Sequence, residues 1–497
     1  MIGADQAEEL YTALSQGIAG ELDDAVALRR ELHGAAELGG AEHATAARVA
    51  AALGQPDAPA VAGTGRVVRI GPASGPAVAV RGELDALPIT EQTGVPWASR
   101  TGVMHACGHD VHLAALTALG RAARALGPDL PVALLAVLQP REESFPSGAR
   151  DIMAEDALAP HQPLAVIAAH LQHQLPAGTV GAAPGTVNAS SDELEITVTG
   201  RGGHAGYPHL AVNPVPALCA AVVALQQVTS RYADPTHAVV ASVGAIEGGR
   251  AANVIPETAR ARGSLRALDP ADRPGLYDAV REIVVNTCRG YGCDGQVTIT
   301  EGEPALVNDP TLAVASWPWA RRAGFAINDD FRSCGADDFS YFSASTATLM
   351  LFVGTHDDIT LHHPRFLPPD EAVGEVAGAM LAGYLAALIR LARPAPGATF
   401  MITEPGQRYS LTRFRDHGAL PRAADNSKKC PGPGHGSAGL LCSATPATTS
   451  AMPARSRRVG TWPSTTAPIS VANSGSRASI RANVARGRRA MASWSVT

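Results

Sequence analysis

Residues 104–112 read MHACGHDVH, placing three histidines, a cysteine and an aspartate within nine positions. Thiolate, imidazole and carboxylate are the usual ligands of zinc and related cations. Cys107 and His109 are one residue apart, so on an extended backbone both would leave on the same side and could meet one ion. The same residues would also suit a buried thiol beside a core histidine. Other polar groups bear on the choice. The apolar run VALLAVLQP leads into Arg141-Glu142-Glu143, LAVIAA ends at His170, VAVRGEL ends at Asp85, and TATLMLFVG is followed by His362 and His363. Each run predicts a central strand of a sheet covered on both faces. Ligands of open α/β sheets bind beyond the carboxyl ends of the strands, so these scattered groups are expected to converge on one rim.

Adjacent side chains diverge, so Glu142 and Glu143 do not readily grip the same ion. One can be a ligand while the other faces a metal-bound water and takes its proton. Metal-assisted hydrolysis needs this division, because the cation lowers the pKa of water to about 7 and a free carboxylate accepts the proton.

The elements that must hold these groups fall into two sets. ELDDAVALRRELH and EHATAARVAAAL have helical period, and with the apolar runs they describe an α/β domain of three layers, α/β/α, over residues 1–187 and 301–395. Between its halves, residues 188–300 change character. DELEITVTG, PVPALCAAVVALQQVTSRY, HAVVASVGAI, TARARGSLRAL, RPGLYDAVREIVVNTCRG and GQVTIT predict the order β-α-β-β-α-β, an inserted ferredoxin-like α+β unit. Residues 396–497 form a basic low-complexity tail: positions 401–497 hold 14 Lys and Arg but 3 Asp and Glu, with no sustained period, and disorder is expected there.

Composition excludes several classes. The 497 residues carry a net charge of -6, with 46% apolar and 17% charged residues, and so lack the basic footprint of a nucleic-acid binder. The acidic start, MIGADQAEELYTALSQGIAG, does not read as a secretory signal. The apolar run at 376–389 is shorter than the roughly 18–20 residues of a bilayer span, so a buried helix and no membrane partner are expected. Seven cysteines without framework spacing suit a reducing compartment, and a cytoplasmic location is expected.

At these residues the chain resembles the aminoacylase, hippurate hydrolase and indole-acetyl-amino-acid hydrolase branch of the co-catalytic metallopeptidases. The likeness spans about residues 25–391 and rests on ALRRELH, RGELDALPITE, GVMHACGHDVH, LQPREES, AAH, GRGGHAGYPH, ANVIPETARARGSLR, GADDFSYF and LHHPRF, in the family's order. The resemblance implies an α/β metallopeptidase domain with an inserted lid and dimerisation domain. It also implies two divalent metal ions (Zn, Mn, Co or Ni) held by Cys107, His109, Glu143, His170 and His362, with the Cys107 thiolate as a plausible bridge and Glu142 as general base. His363 is the weaker ligand candidate. Asp85, Asp110, His112 and His105 look like partners that orient the ligands. The resemblance assigns His204 to the oxyanion across a dimer interface, and Asn253 and Arg266 to the substrate carboxylate.

The implied activity is hydrolysis of the amide bond of N-acyl amino acids or similar small amides, by a homodimer or tetramer joined through the lid. A dipeptidase or carbamoyl hydrolase of the same superfamily and a catalytically impaired metal-binding homologue are the alternatives. Some positions depart from the family pattern. Glu83-Leu84-Asp85 stands for Asp-Met-Asp, Ala169 for a glycine, Asp337 for a glutamate, and Arg141 for an alanine beside the base. The charge of Arg141 is expected to lower the pKa of Glu142.

Overall fold

The computed structural model describes residues 3–355 and 359–391, together with a hairpin of Met401–Glu404 and Gln407–Ser410. Apart from that hairpin, the expected disordered tail at 396–497 lies outside the described residues.

Strands β1 (Gly65–Ile70), β2 (Ala77–Glu83), β3 (Ala133–Gln139) and β4 (Pro163–Pro176) come first. They are followed by β5 (Asp192–Thr199), β6 (Val239–Gly248), β7 (Thr258–Ala267), β8 (Asp294–Glu301) and β9 (Thr348–Thr355). The larger sheet has eight strands in the order Ala60–Val61, β1, β3, β2, β4, β9, Thr179–Gly181, Ala326–Asn328. Its four middle strands, β3-β2-β4-β9, run parallel. Side-chain alternation divides them between two cores. Val78, Val80, Leu134 and Leu138 pack under helices α1 (Ala4–Gly34), α2 (His109–Leu126) and α5 (Ala372–Leu391). Ala77, Ala79, Leu135 and Val137 face the other way, toward Ile152 and the phenyl rings of Phe339 and Phe342. The result is the three-layer α/β/α arrangement, and the apolar run at 376–389 lies within α5, whose window Ala372–Ile389 is 78% buried.

The second sheet has the order β6-β7-β5-β8 with every neighbour antiparallel. Helices α3 (Pro214–Ala224) and α4 (Arg273–Gly290) cover one face, where Leu194, Ile196 and Val198 meet Leu218, Val280 and Val284. Two helices on one side of an antiparallel sheet connected in this order make a ferredoxin-like unit. Its other face carries Arg260, Arg262 and Arg266 of β7 and remains polar.

One strand end differs from expectation. β4 does not stop at His170 but continues to Pro176, because β9 stays paired with it through Gly354 and Gln172 after β2 has left at the Arg81–Ala168 pair. His170 therefore lies where β4 outruns β2, still at the rim.

The rim is tied together by Arg81, fully buried at the end of β2. Its guanidinium donates to Gln139 Oε1 on β3 at 2.9 Å, to Glu83, to Asp337 Oδ1 at 2.8 Å and to Asp338 Oδ1 at 3.1 Å. Arg81→Met would leave three buried carboxylates without their countercharge. A loss of about 3–5 kcal/mol is expected, read as a lower thermal unfolding midpoint than wild type. An unchanged midpoint would show that the rim does not depend on this group.

Candidate metal centre

Two backbone features aim the side chains. Gly108 precedes α2 at φ +88°, and a Cβ there would sit 2.7 Å from Leu171 Cδ1, so both conformation and space require glycine. The Cys107–His109 segment is therefore turned, not extended as expected: Cys107 comes from the turn and His109 from the first residue of the helix. After β3, the Gly148 amide donates to Arg141 O at 3.1 Å, and a Cβ on Gly148 would lie 1.8 Å from Pro140 O. That close approach shapes the loop bearing Glu142 and Glu143. His362, at φ +64°, donates its amide to Ala106 O at 2.8 Å and is thereby fastened beside Cys107.

Potential ligand atoms of Cys107, Glu143 and His362 lie within 4.8 Å of one another, as do those of His109, Glu142 and Glu143; Glu143 is common to both groups. Cys107 Sγ is 3.6 Å from His170 Nε2, His362 Nε2 is 3.1 Å from Glu143 Oε1, and His109 Nε2 is 3.9 Å from Glu142 Oε2. The five expected ligands and the expected base thus meet at one place. His363 does not join them, since its Nδ1 accepts from the Arg365 amide at 3.1 Å.

Hydrogen bonds decide which imidazoles are free to ligate. His109 Nδ1 lies 2.8 Å from Asp85 O and His170 Nδ1 2.7 Å from Leu171 O. A carbonyl only accepts, so both rings carry the proton on Nδ1 and keep a lone pair on Nε2. His109 Nε2 is buried with no hydrogen-bond partner. His112 differs: Nε2 accepts from the Leu171 amide at 3.1 Å and Nδ1 faces Glu83 Oε2 at 3.0 Å. Although it lies in a potential set with Glu83, His109 and His170, both its nitrogens are committed, so His112 orients the peptide next to His170 instead of binding an ion.

Asp85 has a double part. Its carbonyl holds His109, and its Oδ2 accepts from the Glu143 amide at 2.9 Å. Asp110 does not orient a ligand as expected. It accepts from Arg29 Nε at 3.2 Å and pairs with His33 Nδ1 at 3.0 Å, because its place on α2 directs it toward α1. His105 is fully buried, and burial pushes it down to about 3, so it stays neutral.

The charge balance calls for cations. Burial, then the charges of Glu143 and Glu142, raise the Cys107 thiol well above its usual range. Burial and the carboxylates of Glu143, Asp337 and Asp338 likewise raise Glu142. Burial also penalises ionised Glu143, but the hydrogen bond from His362 and the charge of His109 prevail and lower it. A pocket whose own neighbours raise a thiol and a carboxyl, beside an imidazole nitrogen without a hydrogen-bond partner among the described residues, fits divalent metal: an ion held there would supply positive charge and favour the thiolate of Cys107. The expected lowering of Glu142 by Arg141 is not found. Arg141, at φ +52°, turns its guanidinium to Asp151 Oδ2 at 2.5 Å and Ala62 O at 3.1 Å.

The centre opens into a cleft of about 550 Å3. Arg266 reaches it from β7, with NH1 bonded to Cys334 O at 3.0 Å. His204 and Asn253 do not line the cleft of their own chain. They lie by the short paired strands Gly203–His204 and Val254–Ile255, where the exposed His204 accepts from the Gly206 amide. Sequence reasoning missed Arg81 and Gln139, although an arginine inside the apolar run VAVRGE signals a buried partner.

A sheet rim that gathers a thiol, imidazoles and carboxylates around a potential metal site, with a further carboxylate beside them, defines a metal-dependent hydrolase. The pattern of peptidase family M20/M25/M40 matches residues 79–397, and the chain belongs to that family. It is 34% identical over 371 residues to N-acetyldiaminopimelate deacetylase of Bacillus subtilis (strain 168), covering 73% of this chain and 98% of that protein. Identity to N-acetylcysteine deacetylase of the same organism is 31% over 353 residues, covering 70% and 92%. A crystal structure of a dinuclear metal-binding family member from Bacillus subtilis superposes with a TM-score of 0.65 at 27% identity, covering 75% of this chain and 99% of that one. The protein is a metal-dependent amidohydrolase.

The two histidines next to Leu171 should separate cleanly. His170→Ala is expected to lose bound metal outright, whereas His112→Ala should keep the metal stoichiometry with affinity weakened about 10–100-fold, measured by equilibrium dialysis with metal analysis. Loss of stoichiometry in His112→Ala would make it a ligand after all.

Proposed function

We propose that the protein hydrolyses the amide bond of N-acyl amino acids or similar small amides. In this reading Cys107, His109, Glu143, His170 and His362 hold two divalent cations and Glu142 is the general base. The carrying observation is Glu142 itself. It stands 3.9 Å from His109 Nε2, its side chain is 10% exposed, and among the described residues it accepts no hydrogen bond.

Bound cations would polarise the amide carbonyl and activate water. Glu142 accepts the proton of the attacking water on a carboxylate oxygen and returns it to the leaving amine. Its raised proton affinity suits both steps, while Asp85 keeps the Glu142-Glu143 backbone in place. Arg266 presents a planar fork to the substrate carboxylate. The deacetylase relatives support small N-acyl amino acids as substrates, and the turning of Arg141 toward Asp151 weighs against an impaired homologue on that ground. Thiolate, imidazole and carboxylate ligands admit zinc, manganese, cobalt or nickel. The five described cysteines are unpaired, which supports a cytoplasmic location.

The inserted unit, residues 188–300, serves as lid and dimerisation domain in this reading. Tyr207, Leu210, Val223, Ile246 and Val254 are exposed on it, an apolar surface that a second copy would cover. His204 and Asn253 would then act in the partner's cleft, His204 on the oxyanion and Asn253 on the substrate carboxylate.

Two measurements test this. Glu142→Gln should retain metal and lose about 10^2–10^4-fold in kcat on N-acetyl amino acids; full turnover in that variant would remove the base. Mixing Glu142→Gln with His204→Ala subunits should recover turnover that neither has alone. Failure of complementation in a confirmed mixed dimer would place His204 outside the partner's site.

A further inference from the structure

We propose that the cleft selects N-acyl amino acids whose side chain ends in an ammonium group, read by Glu303, Glu193 and Asn188, while Arg266 takes the α-carboxylate. This rests on the hydrolase reading above and extends it to the identity of the amino acid.

The far wall of the cleft is built from the second sheet and its connections. Glu193 lies in β5, Glu303 follows β8, and Asn188 ends the strand Gly185–Asn188; all three line the same cavity as Cys107 and Glu142. Asn188 is only 6% exposed, yet its buried Oδ1 has no hydrogen-bond partner among the described residues. A buried amide oxygen left unpaired is costly, and a ligand donor would satisfy it. Beside it stand two carboxylates that form no ion pair among the described residues. Asp192, next in the chain, is already consumed by Arg273, so the free carboxylates are a property of Glu193 and Glu303 and not of the whole segment. Burial raises the Glu303 carboxyl even against the charge of Arg266, and a bound cation would oppose that rise further.

The chemistry of this wall is one-sided. Carboxylates and an amide oxygen accept hydrogen bonds, and an ammonium offers three donors and no acceptor. Arg266 cannot meet the demand alone: part of its fork is spent on Cys334 O, and it brings one positive charge against two negative ones. The remaining fork suits a carboxylate. A ligand with one carboxylate and one ammonium matches this arrangement, and a neutral side chain would leave Asn188 Oδ1 and a carboxylate unsatisfied.

The test compares kcat/KM on Nα-acetyl-lysine and Nα-acetyl-ornithine with that on Nα-acetyl-norleucine, a neutral chain of similar reach, using the metal-loaded enzyme. Wild type should favour the cationic substrates at least about tenfold at low ionic strength, with the preference shrinking as salt is added. Glu303→Gln and Glu193→Gln should each bring the ratio toward one, chiefly through KM. Hydrolysis of the norleucine compound as fast as the cationic ones in wild type, or a ratio untouched in both variants, would overturn this assignment alone. No hydrolysis of any of the three would overturn the proposed activity and this assignment with it.

Discussion

The buried guanidinium of Arg81 is the constraint on which the rest of the centre depends. A charge of that kind is tolerable inside a protein only when it is fully paired and hydrogen-bonded. Gln139, Glu83, Asp337 and Asp338 provide the pairing from three separate stretches of chain. Gln139 in turn donates to both oxygens of Asp338, at 2.7 and 2.8 Å, which fixes its amide orientation. These bonds hold the ends of β2 and β3 and the start of the Asp338–Ala344 turn in one register. They also surround Glu142 with negative charge, since potential ligand atoms of Glu142, Asp337 and Asp338 lie within 4.8 Å of one another. Arg81 offsets only part of that charge. The remainder raises the proton affinity of Glu142 and makes the pocket favourable for cations.

Ligand orientation is delegated to peptide groups. Leu171 donates its amide to His112 and accepts from His170 at its carbonyl, so the main chain of one residue sets the position of one ring and the tautomer of the other. Asp85 acts similarly through its main-chain carbonyl and its carboxylate. Because Leu171 lies in β4, paired there with β9, and Asp85 follows the end of β2 by two residues, both imidazoles are oriented by main-chain groups close to the sheet.

In the proposed reading, chemistry and recognition come from different parts of the molecule. The first sheet and its loops supply the thiol, imidazoles and carboxylates; the second sheet supplies Arg266 and Glu193 from strands of a separate core. Side chains on the second sheet belong to a separate core, so their substitution is expected to leave the ligand set in place.

The fold class was legible from the residues, and so was the gathering of polar groups at the rim, while the division of ligands and base among them came from the resemblance. Apolar runs such as ALLAVLQ can be satisfied only as buried strands, and polar groups just beyond them have nowhere to go but the rim. Three matters were decided in three dimensions. The resemblance makes His112 and Asp110 equal candidates for orienting ligands, yet the helical twist of α2 sends one to Glu83 and Leu171 and the other to Arg29 and His33. Arg141 threatened the base on paper, but a left-handed backbone turns it to Asp151. The apolar run LAVIAA predicts a strand ending at His170, whereas β9 carries β4 onward. Residue type and spacing determine which groups are available; the direction of each depends on pairings with segments far away in the chain, and those exist only once the sheet has formed.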